Sequence, residues 1–475
     1  MTERLVVGVG LRPSATPEAL RKAVETGLRI ARVRAGDDAV VTTLATLDVR
    51  VEHDAVVEVV ALLQVDVRGF APELLAAQPV SQRSPQAEEA LGTPAVAEAA
   101  VLALGGDVVV PKTVGDGVTV AVGRLPDLHH HGDVEARAAA NLVDLAVNVR
   151  PGGPPEWLRD RIVTSLADLG TYPDPAHAVA AVAERHGRRL DEVLLTAGGA
   201  EAFTLVARAL DPALAAVVHP QFTEPEAALR AANRPVTRVP LTPPYTFDPA
   251  LVPESADLVM IGNPTNPTSV LHPRDAIAEL ARPGRVLVVD EAFMDAVPGE
   301  PETLTGERLP GLVVVRSLTK TWALAGLRVG YVVGDPAVLA KLAAAQPMWS
   351  VSGPALAAAA ATAGERAVAE AQRRAVDLEA QREYLIERLA RIDGLAVVPG
   401  SRAPFVLLRG PIGTGPHALY DGLRARGWLA RRGDTFPGLG HGWVRVAVRD
   451  RDTTDRFTHD LATLLHPPAD TPERP

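Results

Sequence analysis

Four continuous apolar runs constrain this chain more than any other feature: Ala215-Ala216-Val217-Val218, Leu258-Val259-Met260-Ile261, Val286-Leu287-Val288-Val289 and Leu312-Val313-Val314-Val315. Each is short, rich in valine or other small apolar residues, free of polar alternation and bounded by residues with polar side chains or by glycine. A strand of that kind is apolar on both faces, so it suits the interior of a sheet covered by helices on both sides, an α/β architecture with mainly parallel strands. Open sheets of this kind hold their ligands beyond the C-terminal ends of the strands. The residues just past the four runs are therefore the candidates for chemistry.

At 475 residues the chain exceeds what one hydrophobic core usually organises, so at least two domains are expected. Residues 1–125 read as a small α/β module. It has a strand at Leu5-Val6-Val7-Gly8-Val9-Gly10, a helix over 17–34, strands near 40–44 and 61–65, a helix over 93–104, and strands at 107–110 and 118–122. The polar, histidine-bearing stretch Pro126 to Asp133 marks a joint, and residues 127–466 form the larger domain. Residues 467–475, rich in Pro, Asp and Glu, are expected to be disordered. A formal charge of −10 with scattered arginines argues against a nucleic-acid partner. No apolar stretch is long enough to span a bilayer, and the N-terminus lacks the layout of a signal peptide. Without cysteine there are no disulfides or thiolate metal sites. A cytoplasmic protein acting on small molecules, with no metal, is expected.

Among 48 basic residues only Lys22, Lys112, Lys320 and Lys341 are lysines. Arginine stays protonated and cannot add to a carbonyl at neutral pH, so a lysine in a polar motif asks for an explanation. Lys341 is explained by the solvated side of a helix. Lys320 lies in Ser317-Leu318-Thr319-Lys320-Thr321-Trp322, just past the strand 312–315. A desolvated amine there can form an imine with an aldehyde, and Ser317 can donate to a phosphate. Asp290, directly after Val289, can keep a heteroaromatic nitrogen protonated. Arg328, in Gly326-Leu327-Arg328-Val329-Gly330, can clamp a phosphate. The turn Thr196-Ala197-Gly198-Gly199-Ala200-Glu201 opens a helix whose first amides, at Ala200 and Glu201, suit an anion. Taken singly, these are also an N-cap acid, a surface lysine, a surface arginine and a plain turn. Their joint order is what carries weight.

That order, with His219-Pro220-Gln221-Phe222 and Gly262-Asn263-Pro264-Thr265-Asn266-Pro267-Thr268 between the glycine turn and Asp290, resembles the fold-type I aminotransferase superfamily over about 127–465. The resemblance implies a large domain with a mainly parallel sheet, a smaller C-terminal α+β domain, and pyridoxal 5'-phosphate held by Lys320. It also implies that Asp290 pairs with the ring nitrogen, Phe222 stacks on the ring, Asn266 bonds its phenolic oxygen and Arg445 binds a substrate anion. Tyr172, in Tyr172-Pro173-Asp174, would reach the cofactor phosphate of a neighbouring subunit, which implies a homodimer. Phe293 stands where many relatives have tyrosine, removing one hydrogen bond to the ring oxygen.

His131-Gly132-Asp133 and Val147-Asn148-Val149-Arg150-Pro151-Gly152-Gly153-Pro154-Pro155 are similar to the L-threonine-O-3-phosphate decarboxylases of cobalamin biosynthesis, with Arg150 and Gly152 where that family usually has Asn and Leu. This likeness implies that His131, Asn148 and Arg432 contact substrate anions. The implied reaction is decarboxylation of L-threonine O-3-phosphate to (R)-1-aminopropan-2-yl phosphate. An aminotransferase acting on a phosphorylated amino acid such as histidinol phosphate is the alternative. Residues 3–124, with Gly8-Val9-Gly10-Leu11-Arg12, Val96-Ala97-Glu98-Ala99-Ala100 and Val110-Pro111-Lys112, resemble the C-terminal domain of the CbiG/CobE family of cobalamin biosynthesis. A corrinoid precursor is the ligand this implies for the module; a scaffolding role is the alternative.

Overall fold

The computed structural model describes residues 3–35, 39–139, 141–411 and 417–467. The tail expected to be disordered lies, from residue 468 on, outside the described residues.

The first sheet comprises β1 (Arg4–Leu11), β2 (Val40–Leu47), β3 (Asp66–Phe70), β4 (Asp107–Gly115) and β5 (Val118–Leu125), in the order β3-β2-β1-β5-β4. β1 is apolar on both faces because both are covered. Leu5, Val7 and Val9 pack against Leu20, Val24 and Leu28 of the helix Pro17–Ala35, while Val6 packs against Ala97 and Val101 of the helix Ala97–Ala103. The second helix lies so close that a Cβ on Gly8 would stand 1.9 Å from the Ala97 carbonyl oxygen. The expected strand near 61–65 is instead the end of the helix Asp54–Leu63, closed by Gln64 in the left-handed conformation, and the strand comes next as β3. Ala55, Val56 and Val59 explain the difference, since they fall on one buried helical face.

The second sheet contains β6 (Val193–Thr196), β7 (Ala215–His219), β8 (Val236–Pro240), β9 (Leu258–Gly262), β10 (Val286–Asp290), β11 (Leu312–Ser317) and β12 (Gly330–Gly334). Their order is β6-β12-β11-β10-β9-β7-β8. The four apolar runs are β7, β9, β10 and β11, all mutually parallel; β12 alone runs antiparallel to its neighbours β11 and β6. One face of these four strands packs against the helices Gly199–Ala209, Glu224–Ala231 and Pro336–Ala345, while the other, expected to carry helices too, is covered by the short helix Arg274–Ala278, by Leu241, Tyr245, Phe247, Phe436 and Leu439 outside helices, and by Leu407; both sets of side chains are buried, as the unbroken apolar pattern requires. A third sheet, β13 (Ala396–Val397), β14 (Phe405–Arg409), β15 (Arg431–Arg432) and β16 (Trp443–Ala447), has the order β13-β14-β16-β15 and packs against the helices Glu365–Leu389 and Arg451–Leu465. Among the described residues no helix is long and apolar enough to cross a membrane.

The first sheet docks on the edge strand β8 of the second. Gln78 Nε2 donates to the Val236 carbonyl at 3.3 Å, Thr237 Oγ1 donates to the Ala77 carbonyl at 2.8 Å, and Arg238 bonds Asp107 Oδ1 and the Gly105 carbonyl, each at 2.9 Å. Arg238 also grips Glu226, which is completely buried and takes Arg230 Nε at 2.6 Å and His219 Nε2 at 2.8 Å. Arg238 and its neighbours hold the Glu226 carboxyl well below the usual range against the cost of burial. A second set of charges joins Arg124 to Glu3, Asp107 and Asp434 at 3.6 to 3.7 Å. His417, Asp434 and His441 approach one another there with metal-ligand spacing, but Arg432 already occupies both oxygens of Asp434 at 3.1 and 2.6 Å, so the cluster is an ion-paired joint.

Candidate active site

The C-terminal ends of β10 and β11, the start of the helix Gly199–Ala209 and the segment 131–149 surround a cavity of about 550 Å³. Lys320, Asp290, Ser317, Arg328, Ala200, Phe222, Asn266, His131, Asn148 and Arg445 all line it. Lys320 enters just past β11, and its amine is pushed down to about 8 by burial, then by Arg445 and Arg328, with Asp290 opposing. About a tenth is therefore the neutral nucleophile at pH 7, a few hundred times the share left to a lysine at its ordinary value. Asp290 ends β10; burial pushes its carboxyl up to about 6, against the Ala292 N–H, which donates to Oδ1 at 3.0 Å, and the nearby Lys320 charge. At pH 7 most of it is ionised and able to pair with a protonated ring nitrogen.

Another part of the same wall suits a phosphate. The Gly198 backbone has φ +82°, and a Cβ there would meet Arg328 Nη2 at 2.5 Å, so only glycine lets this guanidinium approach the helix start. Ser317 Oγ and Thr319 Oγ1 lie 2.7 Å apart in the same wall. The Glu201 side chain turns away, accepting from the Ala197 N–H and from Gln346 Nε2 at 3.2 Å, so its contribution is limited to its backbone amide. Phe222 is tilted against His131, with ring centroids 5.6 Å apart, and Glu224 holds His131 Nε2 at 2.6 Å. These groups fit the expected cofactor: a buried amine, a ring-nitrogen partner, an aromatic face and a phosphate cradle made of Arg328, two hydroxyls and a helix start.

Substrate groups gather around Arg445, which donates to Asn266 Oδ1 and the Ala146 carbonyl. Asn148, with its amide oxygen turned toward Arg445, accepts from Nη1 and Nη2 at 3.0 and 3.2 Å. Arg432, expected among the substrate ligands, does not line the cavity: it chelates Asp434 and lies over the Tyr420 ring. Its neighbour Arg431 lines the cavity instead, with Nη2 donating to the His130 carbonyl at 2.6 Å and Nη1 buried without a partner. The pairing of β15 with β16 explains the exchange. Arg431 is opposite Arg445 and shares its face, whereas Arg432 is opposite Val444. Strand periodicity between the two arginine-bearing segments was the available signal.

Tyr172 is 75% exposed, stacked on Trp349 at 4.2 Å between centroids, and does not reach the cavity of its own chain. Phe293 packs edge-on against Phe405 at 5.0 Å.

Residues 140–461 match the family model described as aminotransferase class I and II, and residues 5–123 match that described as cobalamin synthesis G C-terminus. A histidinol-phosphate aminotransferase of Mycobacterium bovis is 50% identical over 323 residues, covering 67% of this chain and 86% of that protein. A threonine-phosphate decarboxylase of Salmonella typhimurium is 30% identical over 359 residues, covering 71% and 96%. The crystal structure of L-threonine-O-3-phosphate decarboxylase from Porphyromonas gingivalis aligns with a TM-score of 0.62 at 26% identity, covering 68% of this chain and 99% of that one. Proteins of this kind depend on pyridoxal phosphate, whose requirements the cavity meets, and the chain belongs to the aminotransferase class I and II family.

Proposed function

We propose that this enzyme decarboxylates L-threonine O-3-phosphate to (R)-1-aminopropan-2-yl phosphate. The observation that carries the proposal is the pair Arg431 and Arg445, direct partners across β15 and β16, both facing the cavity. Opposed residues of an antiparallel pair have Cα atoms about 5 Å apart. Burial lowers the pKa of both arginines, Arg431 to about 10, and neither has a carboxylate hydrogen-bonded to it among the described residues. Glu135 and Asp434 act on Arg431, and Asp144 on Arg445, only through their charge; two buried guanidiniums with no carboxylate bonded to them suit an anion, and a phosphate dianion supplies the matching charge.

A phosphate held by this pair, with Asn148 and His131, leaves the carboxylate on the adjacent substrate carbon outside the grip of Arg431 and Arg445. Pyridoxal phosphate, when bound, supplies an electron sink for whichever Cα bond stands perpendicular to its ring. Arg431 and Arg445 fix the substrate's rotation, and so select the bond to the carboxylate. Lys320 Nζ is placed to return a proton to Cα once carbon dioxide has left. Asp290 keeps the ring nitrogen protonated. The match of residues 5–123 to a cobalamin-synthesis model supports this substrate, and a corrinoid precursor is the ligand we assign to that module. We also propose a homodimer in which Tyr172 reaches the partner's cofactor phosphate. Its exposed stack with Trp349 supports this.

The test is to incubate the holoenzyme with threonine phosphate and assay carbon dioxide and aminopropanol phosphate. The 50% identical mycobacterial relative favours a second reading, amine transfer from histidinol phosphate to 2-oxoglutarate. Transfer without carbon dioxide release would replace the first reading with the second.

A further inference from the structure

A second cavity, of about 380 Å³, borders Lys320 on the side of Pro151 and the helix Glu365–Leu389. It shares Asn148, Val149, Phe293 and Lys320 with the first, so a substrate positioned at the lysine can extend a group into either. The cations in its wall differ in one respect. Arg374 donates to Glu370 through Nε at 3.0 Å, and Arg449 donates to the carbonyls of Asp144 and Val147 at 2.8 and 3.0 Å. The guanidinium of Arg150 makes no hydrogen bond among the described residues, and its Nη1 is buried. Glu370, the carboxylate whose charge acts on Arg150, is already taken by Trp157 Nε1 at 2.8 Å and by Arg374.

A buried donor left unmade costs free energy that an arriving acceptor recovers, and for a guanidinium the best acceptor is a carboxylate or phosphate. The position of Arg150 is also fixed relative to the reacting centre, because its backbone N–H donates to the Lys320 carbonyl at 3.2 Å. A group bound by Arg150 thereby lies in a cavity that Arg431 does not line, since Arg431 borders only the first.

We propose that Arg150 is a specificity-determining residue that takes the substrate carboxylate in the second cavity while Arg431 and Arg445 take the phosphate in the first. Gripped in two cavities that meet at Lys320, the substrate has its rotation about the nitrogen to Cα bond fixed by two points, with the carboxylate in the cavity that Arg445 does not line. This assignment rests on the decarboxylase reading of the same site.

The test uses the substrate skeleton without its amine, which cannot react: 3-phosphooxybutyrate, and isopropyl phosphate as its counterpart lacking the carboxylate. Each is titrated calorimetrically into the wild-type holoenzyme and into Arg150→Asn and Arg150→Lys, after the cofactor absorbance shows that each variant is folded and loaded. The wild type is expected to bind the carboxylate-bearing probe at least ~10-fold more tightly, Arg150→Asn to bring the ratio near one, and Arg150→Lys to restore part of it. With threonine phosphate and 2-oxoglutarate as the amine acceptor, Arg150→Asn also shifts the product ratio from carbon dioxide towards glutamate. An unchanged binding ratio in Arg150→Asn overturns the proposal. A wild type that releases no carbon dioxide but loses its binding preference in Arg150→Asn rejects the decarboxylase reading and retains Arg150 as the carboxylate subsite.

Discussion

Arg431 and Arg445 face each other across β15 and β16 and present two buried cations to one cavity, while Arg432 turns its guanidinium to Asp434. Adjacent residues of one strand thus have unrelated work. Arg431→Met and Arg445→Met are each expected to lower kcat/KM for a phosphorylated amino substrate by about 100-fold, from the loss of a charge-assisted contact of roughly 2–3 kcal/mol. Arg432→Met should lower stability and leave KM within about threefold, since it touches the joint and not the cavity. Steady-state kinetics beside a urea titration separates the two effects.

Loading of the apoenzyme with pyridoxal phosphate should depend on the neutral form of Lys320. Its pKa is lowered to about 8, so the loading rate rises with pH through that value and levels above it. Arg445 is among the groups that lower it, so Arg445→Met should move the midpoint upward. Stopped-flow absorbance against pH reads this directly. Lys320→Ala should abolish the absorption band of the attached cofactor, and exposed Lys341→Ala should leave it; the reverse pattern would sink the assignment.

Much of this site is legible in the sequence because strand ends are legible. Continuous valine runs announce buried parallel strands, and the residues just past them lie at the ligand-binding edge, which is how Asp290, Ser317 and Lys320 come together in one cavity. Choosing Arg431 over Arg432 needs the pairing register, which a two-residue strand does not reveal. The segment 61–65 reads as a strand although it closes a helix, because five apolar or neutral residues fit either, and only the position of Gln64 decides. Arg150 stands out by its residue type, but its missing partner is a fact of three dimensions. Tyr172 cannot be placed in a cavity by one chain at all.

Two inactive variants should therefore complement each other if the dimer is correct. Lys320→Ala lacks the reactive amine, and Tyr172→Ala lacks the group offered to the partner. Refolding them together should regenerate about a quarter of the wild-type sites, because half the dimers are mixed and each has one intact site. Activity no higher than the sum of the two separate variants would rule out a shared site.

Glu226 anchors the joint with no exposure, bonded to Arg238, Arg230 and His219. Glu226→Gln leaves buried arginines without their counter-charge and should cost about 3–5 kcal/mol in urea unfolding. As a carboxylate held below its unfolded pKa, Glu226 contributes stability that is present above about pH 4.3 and is lost as pH falls through its depressed value. The difference between wild type and variant should therefore shrink on acidification.

Gln78 takes the Val236 carbonyl of β8, the last strand of the large sheet, and the Thr237 and Arg238 side chains of that strand reach the leading segment. An unsealed strand of that kind offers its free amides and carbonyls to any other extended chain, and is a common starting point for aggregation. Removing the first 125 residues would therefore bare a sticky seam in the catalytic part. The leading segment thus also serves as a cover, and any attempt to separate it from the catalytic part would have to redesign that border first.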